Sequence, residues 1–183
     1  MVFWVMGSAG GDVPESVREK IYVIGAEVGR RGYTLVTGVA PGVPHDSVLG
    51  AKSEDGLVMG ISPAQNFTEH MERYASPTRG YDIIVYTGTG LMGREVENIR
   101  SCDAVVIVGG RSGTLGEFAI AYDEAKLIGV LEGTDGIADH IDELLEVINK
   151  ETGATVIGHS DPVKLVELLE KAYLEKVLPV ISK

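Results

Sequence analysis

Cysteine is nearly absent: Cys102 is the one cysteine among 183 residues. No disulfide can close within the chain, and a reducing cytoplasm is the natural compartment. Positive charge is also scarce. Sixteen Lys and Arg face 27 Asp and Glu, for a net charge of −11. That balance argues against nucleic acid, since duplex binding needs a basic footprint; it does not bear on a small phosphate, which feels the local field. No hydrophobic run approaches the roughly 20 residues of a bilayer span, so a soluble protein with no membrane partner is expected. The apolar start, MVFWVMGSAGG, lacks a basic leader and reads as a first strand. His45 and Asp46 have no ligand cluster around them, so they read as a polar helix start and no metal site is expected.

What the chain does have is glycine, 24 residues of it, in short turns that suggest tight strand–helix connections. The length suits a single domain over residues 1–183. Val2 to Met6 is an apolar strand ending in GSAGG. A helix through Val17, Ile21, Ile24 and Val28 follows, with Pro14 in its first turn. Tyr33 to Thr37 is a second strand, running into GVAPGVP over residues 38–44. A short helix through Val48 and Ala51 leads to a third strand, Leu57 to Ser62. Residues 63–81 form a long loop with one helical turn, of the kind that serves as a lid or binding loop. Asp82 to Tyr86 is a fourth strand, and a helix from Leu91 to Ser101 follows it. Leu127 to Leu131 is a sixth strand, then come a helix from Ile137 to Asn149, a short strand Thr155 to Ile157, and a helix capped by Asp161. Strand and helix alternate throughout. The pattern predicts an α/β fold: a doubly wound, Rossmann-like, mostly parallel sheet of about seven strands with helices on both faces.

The fifth strand and the turn and helix start beyond it hold the main functional signal, DAVVIVGGRSGTLGE, over residues 103–117. A β-branched run, Val105 to Val108, reads as a strand buried on both faces. Gly109, Gly110, Arg111, Ser112 and Gly113 then turn into a helix beginning at Thr114. Free amides at a helix N-terminus make a ready anion site, to which the Thr114 hydroxyl and the Arg111 charge would add. The alternative is that these glycines only permit a tight turn. The stretch is neither a Walker A loop nor the dinucleotide fingerprint. Turns of the same kind follow the first, second and fourth strands, offering Gly7 and Ser8, Gly38, and Gly88, Thr89 and Gly90. All of them lie on the edge where doubly wound sheets bind ligands. Glu117 fits a capping box with Thr114 as well as it fits a catalytic role. Arg94, near a helix start, is either a solvated side chain or the partner of an anion. Cys102 reads as a small core residue.

Met92, Arg94, Asp103 and Gly113–Thr114 with Glu117 together resemble the signature of the LONELY GUY (LOG) family, labelled "possible lysine decarboxylase". That family lies in the wider Rossmann-like nucleotide-binding group that includes the molybdenum-cofactor carrier proteins. The strand ending in Gly60–Ile61–Ser62–Pro63 is similar to another family element. The resemblance implies hydrolysis of the N-glycosidic bond of a nucleoside 5′-monophosphate such as AMP. It would make Arg94 and Glu117 the catalytic pair and Gly113 and Thr114 the phosphate cradle, with no cofactor. It also implies a homodimer or higher homo-oligomer. Nothing resembles a pyridoxal phosphate site, so decarboxylation is rejected. Gly109, Arg111 and the GVAPGVP turn depart from the LOG pattern and look closer to the carrier proteins. A binding or carrier protein for a nucleotide-like phosphorylated ligand, without turnover, is therefore the alternative.

Overall fold

The computed structural model describes residues 1–181. Seven strands form one sheet: β1 (Val2–Gly7), β2 (Thr34–Thr37), β3 (Leu57–Ser62), β4 (Ile83–Tyr86), β5 (Ala104–Val108), β6 (Leu127–Leu131) and β7 (Thr155–His159). Their order is β4-β3-β2-β1-β5-β6-β7, and every neighbouring pair is parallel. The order reverses between β1 and β5, where Trp4 stands opposite Val105 and Gly7 opposite Val108.

Strand alternation sends the core to two sides. Phe3, Val5, Val106 and Val108 pack under α1 (Glu15–Arg30), α2 (Val43–Ser53) and α8 (Pro162–Ala172). Trp4, Met6, Val105 and Ile107 pack under α5 (Glu95–Arg100), α6 (Ser112–Asp123) and α7 (Ile141–Ile148). Helices thus cover both faces. Along the β4 edge Ile83 and Val85 remain exposed.

Several glycines serve helix packing, beyond the turns expected of them. A Cβ on Gly25 would overlap the Ser47 carbonyl, and one on Gly50 would overlap that of Tyr22. The backbones of α1 and α2 can approach only because those side chains are missing. Across the same pair Arg18 grips Asp46 with two hydrogen bonds, at 2.9 and 2.8 Å.

Some boundaries differ from the sequence reading. α2 begins at Val43, inside the expected turn, so His45 and Asp46 lie in its first turn. The long loop contains a helix, α3 (Phe67–Glu72), capped by the Asn66 side chain on the Glu69 N–H. The helix expected from Leu91 to Ser101 is broken at Arg94 into α4 (Gly90–Gly93) and α5. A 3-10 turn over Gly136–His140 precedes α7. Cys102 is buried and packs as a core residue; burial pushes its thiol up to about 12. No helix among the described residues is long and apolar enough to cross a membrane.

Candidate functional site

At the reversal of strand order, beyond the C-terminal ends of β1 and β5, lies a cavity of about 440 Å³, within the usual range for small-ligand sites. Its lining comes from four stretches of the chain. Trp4 and the backbone of Val5 to Gly10 form one side, Gly38, Ala40 and Pro44 another. Leu91, Met92, Arg94 and Glu95 close it from the α4–α5 segment, and Arg111 to Thr114 with Glu117 come from α6.

The α6 end is built for an anion. Gly109 and Gly110 hold φ of 55° and 96°, values that only glycine adopts without strain. This sharp turn starts the helix at Ser112, two residues before Thr114. No side chain caps it, and the N–H groups of Ser112, Gly113 and Thr114 have no protein acceptor among the described residues. Arg111 stands at the N-cap in extended backbone, and its guanidinium lies against Gly11.

The earlier start also undoes the expected capping box. Thr114 is the third helical residue, its side chain packed on Gly110, so Glu117 has no cap to return to. Its carboxyl faces the cavity instead and is pushed up to about 7. Burial is the main cause and the nearby Glu95 adds to it, while Arg94 and Trp4 pull the other way.

Arg94 occupies the joint between α4 and α5 and is 9% exposed. Its Nη1 donates to the carbonyl oxygens of Gly38 and, at 2.9 Å, Ile61, tying together the ends of β2 and β3. No carboxylate among the described residues lies within ion-pair distance of it. Burial pulls its pKa below the usual arginine value, with Glu117 and Glu95 opposing. A buried guanidinium without an ion pair is costly and calls for an anion.

Of the residues singled out in the sequence, Gly7, Ser8, Gly38, Arg94, Arg111, Ser112, Gly113, Thr114 and Glu117 share this cavity. Gly109 and Gly110 sit beside it, lining an adjoining space of about 200 Å³. Their carbonyls accept from Ala138 and Ile137, so they shape the turn. Gly88, Thr89 and Gly90 are not brought in. The amides of Gly88 and Gly90 bond the carbonyls of Ala64 and Pro63, and Thr89 bonds Thr87. Sequence reasoning missed Trp4 and Glu95. Trp4 alternates onto the same sheet face as Met6, and Glu95 adjoins Arg94, which are the only signals that could have found them.

His45 is partly buried against Tyr81, ring centroids 6.2 Å apart, and burial lowers its pKa. Among the described residues no group of three or more His, Cys, Asp or Glu could hold a metal ion.

Residues 1–166 match a family model described as the SLOG cluster4 family. An uncharacterized protein of Archaeoglobus fulgidus is 34% identical over 122 residues, 67% of this chain and 75% of that protein. Among solved structures, the molybdenum cofactor binding protein of Rippkaea orientalis has a TM-score of 0.76 and 28% identity, covering 93% of this chain and 95% of its own. The molybdenum cofactor carrier protein of Chlamydomonas reinhardtii has a TM-score of 0.74 and 26% identity, over 93% and 96%. The structural-genomics protein TM1055 superposes with a TM-score of 0.81 at 24% identity, over 93% and 98%, a likeness of fold.

Proposed function

The chain belongs to the SLOG cluster4 family, and on that premise we propose that it binds a phosphorylated heterocyclic small molecule, a phosphopterin or a nucleoside monophosphate, as a carrier. One observation carries this reading. Arg94, buried without an ion pair, and the three open amides of α6 face one cavity. The phosphate would sit on the amides of Ser112, Gly113 and Thr114, at the positive end of the helix dipole, with Arg111 at the rim. The heterocycle would lie against Trp4. That two relatives of nearly equal length are named for the molybdenum cofactor, a phosphorylated pterin, supports the carrier role.

The LOG-like resemblance through Arg94 and Glu117 supports a second reading, a nucleoside monophosphate phosphoribohydrolase. Its specific support is that Glu117 shares the cavity with Arg94 and titrates near neutrality, where a carboxyl can both give and take a proton. In that reaction water adds to C1′ of the ribose, the C1′–N bond breaks, and the departing base takes up a proton. Thermal-shift titration with inorganic phosphate, ribose 5-phosphate and nucleoside monophosphates tests binding, and the same mixtures assayed for free base test turnover. Stabilisation by monophosphates without base release supports the carrier; release of base converts the protein to a hydrolase. No response to any phosphate compound would dismiss both. A homodimer in a reducing cytoplasm remains the expected setting, supported by Ile83 and Val85 on the exposed β4 edge and by the single buried thiol; mass measurement in solution tests the dimer.

A further inference from the structure

The turn into α6 borders two spaces. Arg111 to Thr114 line the larger cavity, and Gly109 to Arg111 line the adjoining one of about 200 Å³. Ser8 and Arg111 belong to both linings, so the spaces meet at those two residues. The smaller one falls below the volume of an ordinary small-ligand site, and it suits one arm of a ligand better than a ligand of its own. Open donors run from one space to the other. Besides the amides of Ser112, Gly113 and Thr114, those of Gly110 and Arg111 have no protein acceptor among the described residues. Five successive N–H groups, entered through the left-handed Gly109 and Gly110, form an anion nest that continues past the helix end into the smaller space. Arg111, midway along it, has no ion pair among the described residues.

The smaller space has a fixed frame. The Gly109 N–H donates to Thr134 Oγ1 at 2.9 Å, and the Ile137 and Ala138 N–H groups donate to the carbonyls of Gly110 and Gly109 at 3.1 and 3.0 Å. These bonds lock the β6–α7 turn onto the turn into α6. Within it the Asp139 carboxylate accepts from the N–H groups of Gly133 and Asp135, at 2.7 and 2.9 Å. Asp135 is thereby held at φ 60° and ψ −176°, a region that is essentially reserved for glycine and costs stability. Asp135 borders the smaller space from this turn, and Asp12 borders it from the β1–α1 turn. Neither carboxylate has an ion pair among the described residues. Carboxylates only accept hydrogen bonds, which suits the hydroxyls of a sugar; Arg111 beside them disfavours an ammonium group.

We infer that the ligand is a pyrophosphate diester, a heterocyclic nucleoside diphosphate joined through its second phosphate to a further sugar. This rests on the anion-binding reading and extends its ligand by one phosphate and one sugar. The heterocycle and its ribose occupy the larger cavity. The two phosphates follow the amides from Thr114 back to Gly110, with Arg111 between the spaces to neutralise the added charge. The second sugar enters the smaller space, its hydroxyls on the side of Asp12 and Asp135.

The test is calorimetric titration of the whole protein with inorganic phosphate, pyrophosphate, AMP and ADP-ribose. AMP and ADP-ribose share their base, so recognition of the base cancels between them. ADP-ribose should bind at least about tenfold more tightly than AMP, and pyrophosphate at least about tenfold more tightly than phosphate. Val13 lines the smaller space and not the larger; Val13→Trp fills it and should lower the ADP-ribose advantage at least about threefold with AMP affinity unchanged. Asp135→Gly relieves the strained backbone and should raise the melting temperature while lowering the same advantage, a pair of opposed effects that a merely structural role would not produce. If Val13→Trp does not fold, Asp135→Gly carries the comparison. ADP-ribose binding no more tightly than AMP, or an advantage that neither variant lowers, overturns the inference and leaves the phosphate site standing. Failure of all four compounds, inorganic phosphate included, removes the anion site and this inference with it.

Discussion

Arg94 donates through Nη1 to the carbonyl oxygen of Ile61 at 2.9 Å while bordering the same cavity as the open end of α6. One side chain thereby links strand ends to a site for negative charge. Its replacement by Met should act on both. The carbonyls of Gly38 and Ile61 would lose their charged donor, at a cost of about 1–3 kcal/mol in stability. Affinity for ribose 5-phosphate should fall by at least about tenfold, through loss of the buried positive charge. Arg94→Lys keeps the charge and should recover part of the binding. Denaturant unfolding and calorimetry measure the two effects separately; full phosphate affinity in a folded Arg94→Met protein would show that the cation plays no part in binding.

The elevated Glu117 carboxyl has a thermodynamic signature. In the unfolded chain it titrates near the ordinary glutamate value of about 4.5, and in the folded protein near about 7. Between those values the native state holds a proton that the unfolded state has released, so stability falls as pH rises. The loss is complete above about pH 7 and amounts to up to about 3 kcal/mol. Glu117→Gln cannot ionise. Its stability relative to wild type should therefore grow from about pH 4.5 to about pH 7 and stay constant above. Urea midpoints at pH 4.5, 6 and 8 measure the difference, and a gap independent of pH would refute the desolvated carboxyl.

Gly25→Ala probes the contact between α1 and α2. The added methyl would overlap the Ser47 carbonyl, an atom of the backbone that cannot rotate away. On helix propensity alone, alanine should stabilise this interior position by about 1 kcal/mol. Overpacking opposes that gain and outweighs it, so a net loss of about 1–3 kcal/mol is expected. An increased melting temperature would mean that the helices separate at little cost.

How much of this was legible in the sequence depended on whether the determinant was local. The apolar runs of β3 and β6 fixed both strands at their observed limits, Leu57–Ser62 and Leu127–Leu131. Strict alternation of strand and helix implied the parallel sheet, and the glycine turns pointed to its ligand-binding edge. Thr114 and Glu117 carry the spacing of a capping box, yet the left-handed Gly109 and Gly110 let the helix begin earlier, at Ser112. Gly88 and Gly90 looked as open as Gly113, but carbonyls of residues 63 and 64 take their amides, through a contact between segments some 25 residues apart. Trp4 and Glu95 join the cavity only through the packing of α5 and α6 over β1, which no local pattern encodes.

The sharpest test of the α6 amides removes one N–H and little else. Ser112 is the first helical residue and is exposed, and the preceding Arg111 has extended backbone, φ −130° and ψ −150°. Both features suit proline at position 112: it is favoured at the first helical position, and the residue before it must avoid helical geometry. Ser112→Pro should therefore leave the melting temperature unchanged or slightly raised. If the amide holds a phosphate oxygen, its loss removes a charge-assisted hydrogen bond of about 1.5–3 kcal/mol, or roughly 10- to 100-fold in affinity for ribose 5-phosphate. Ser112→Ala separates the amide from the hydroxyl, since it deletes only the latter and should bind nearly as wild type. Equal affinity in the proline variant would place the anion somewhere other than this helix end.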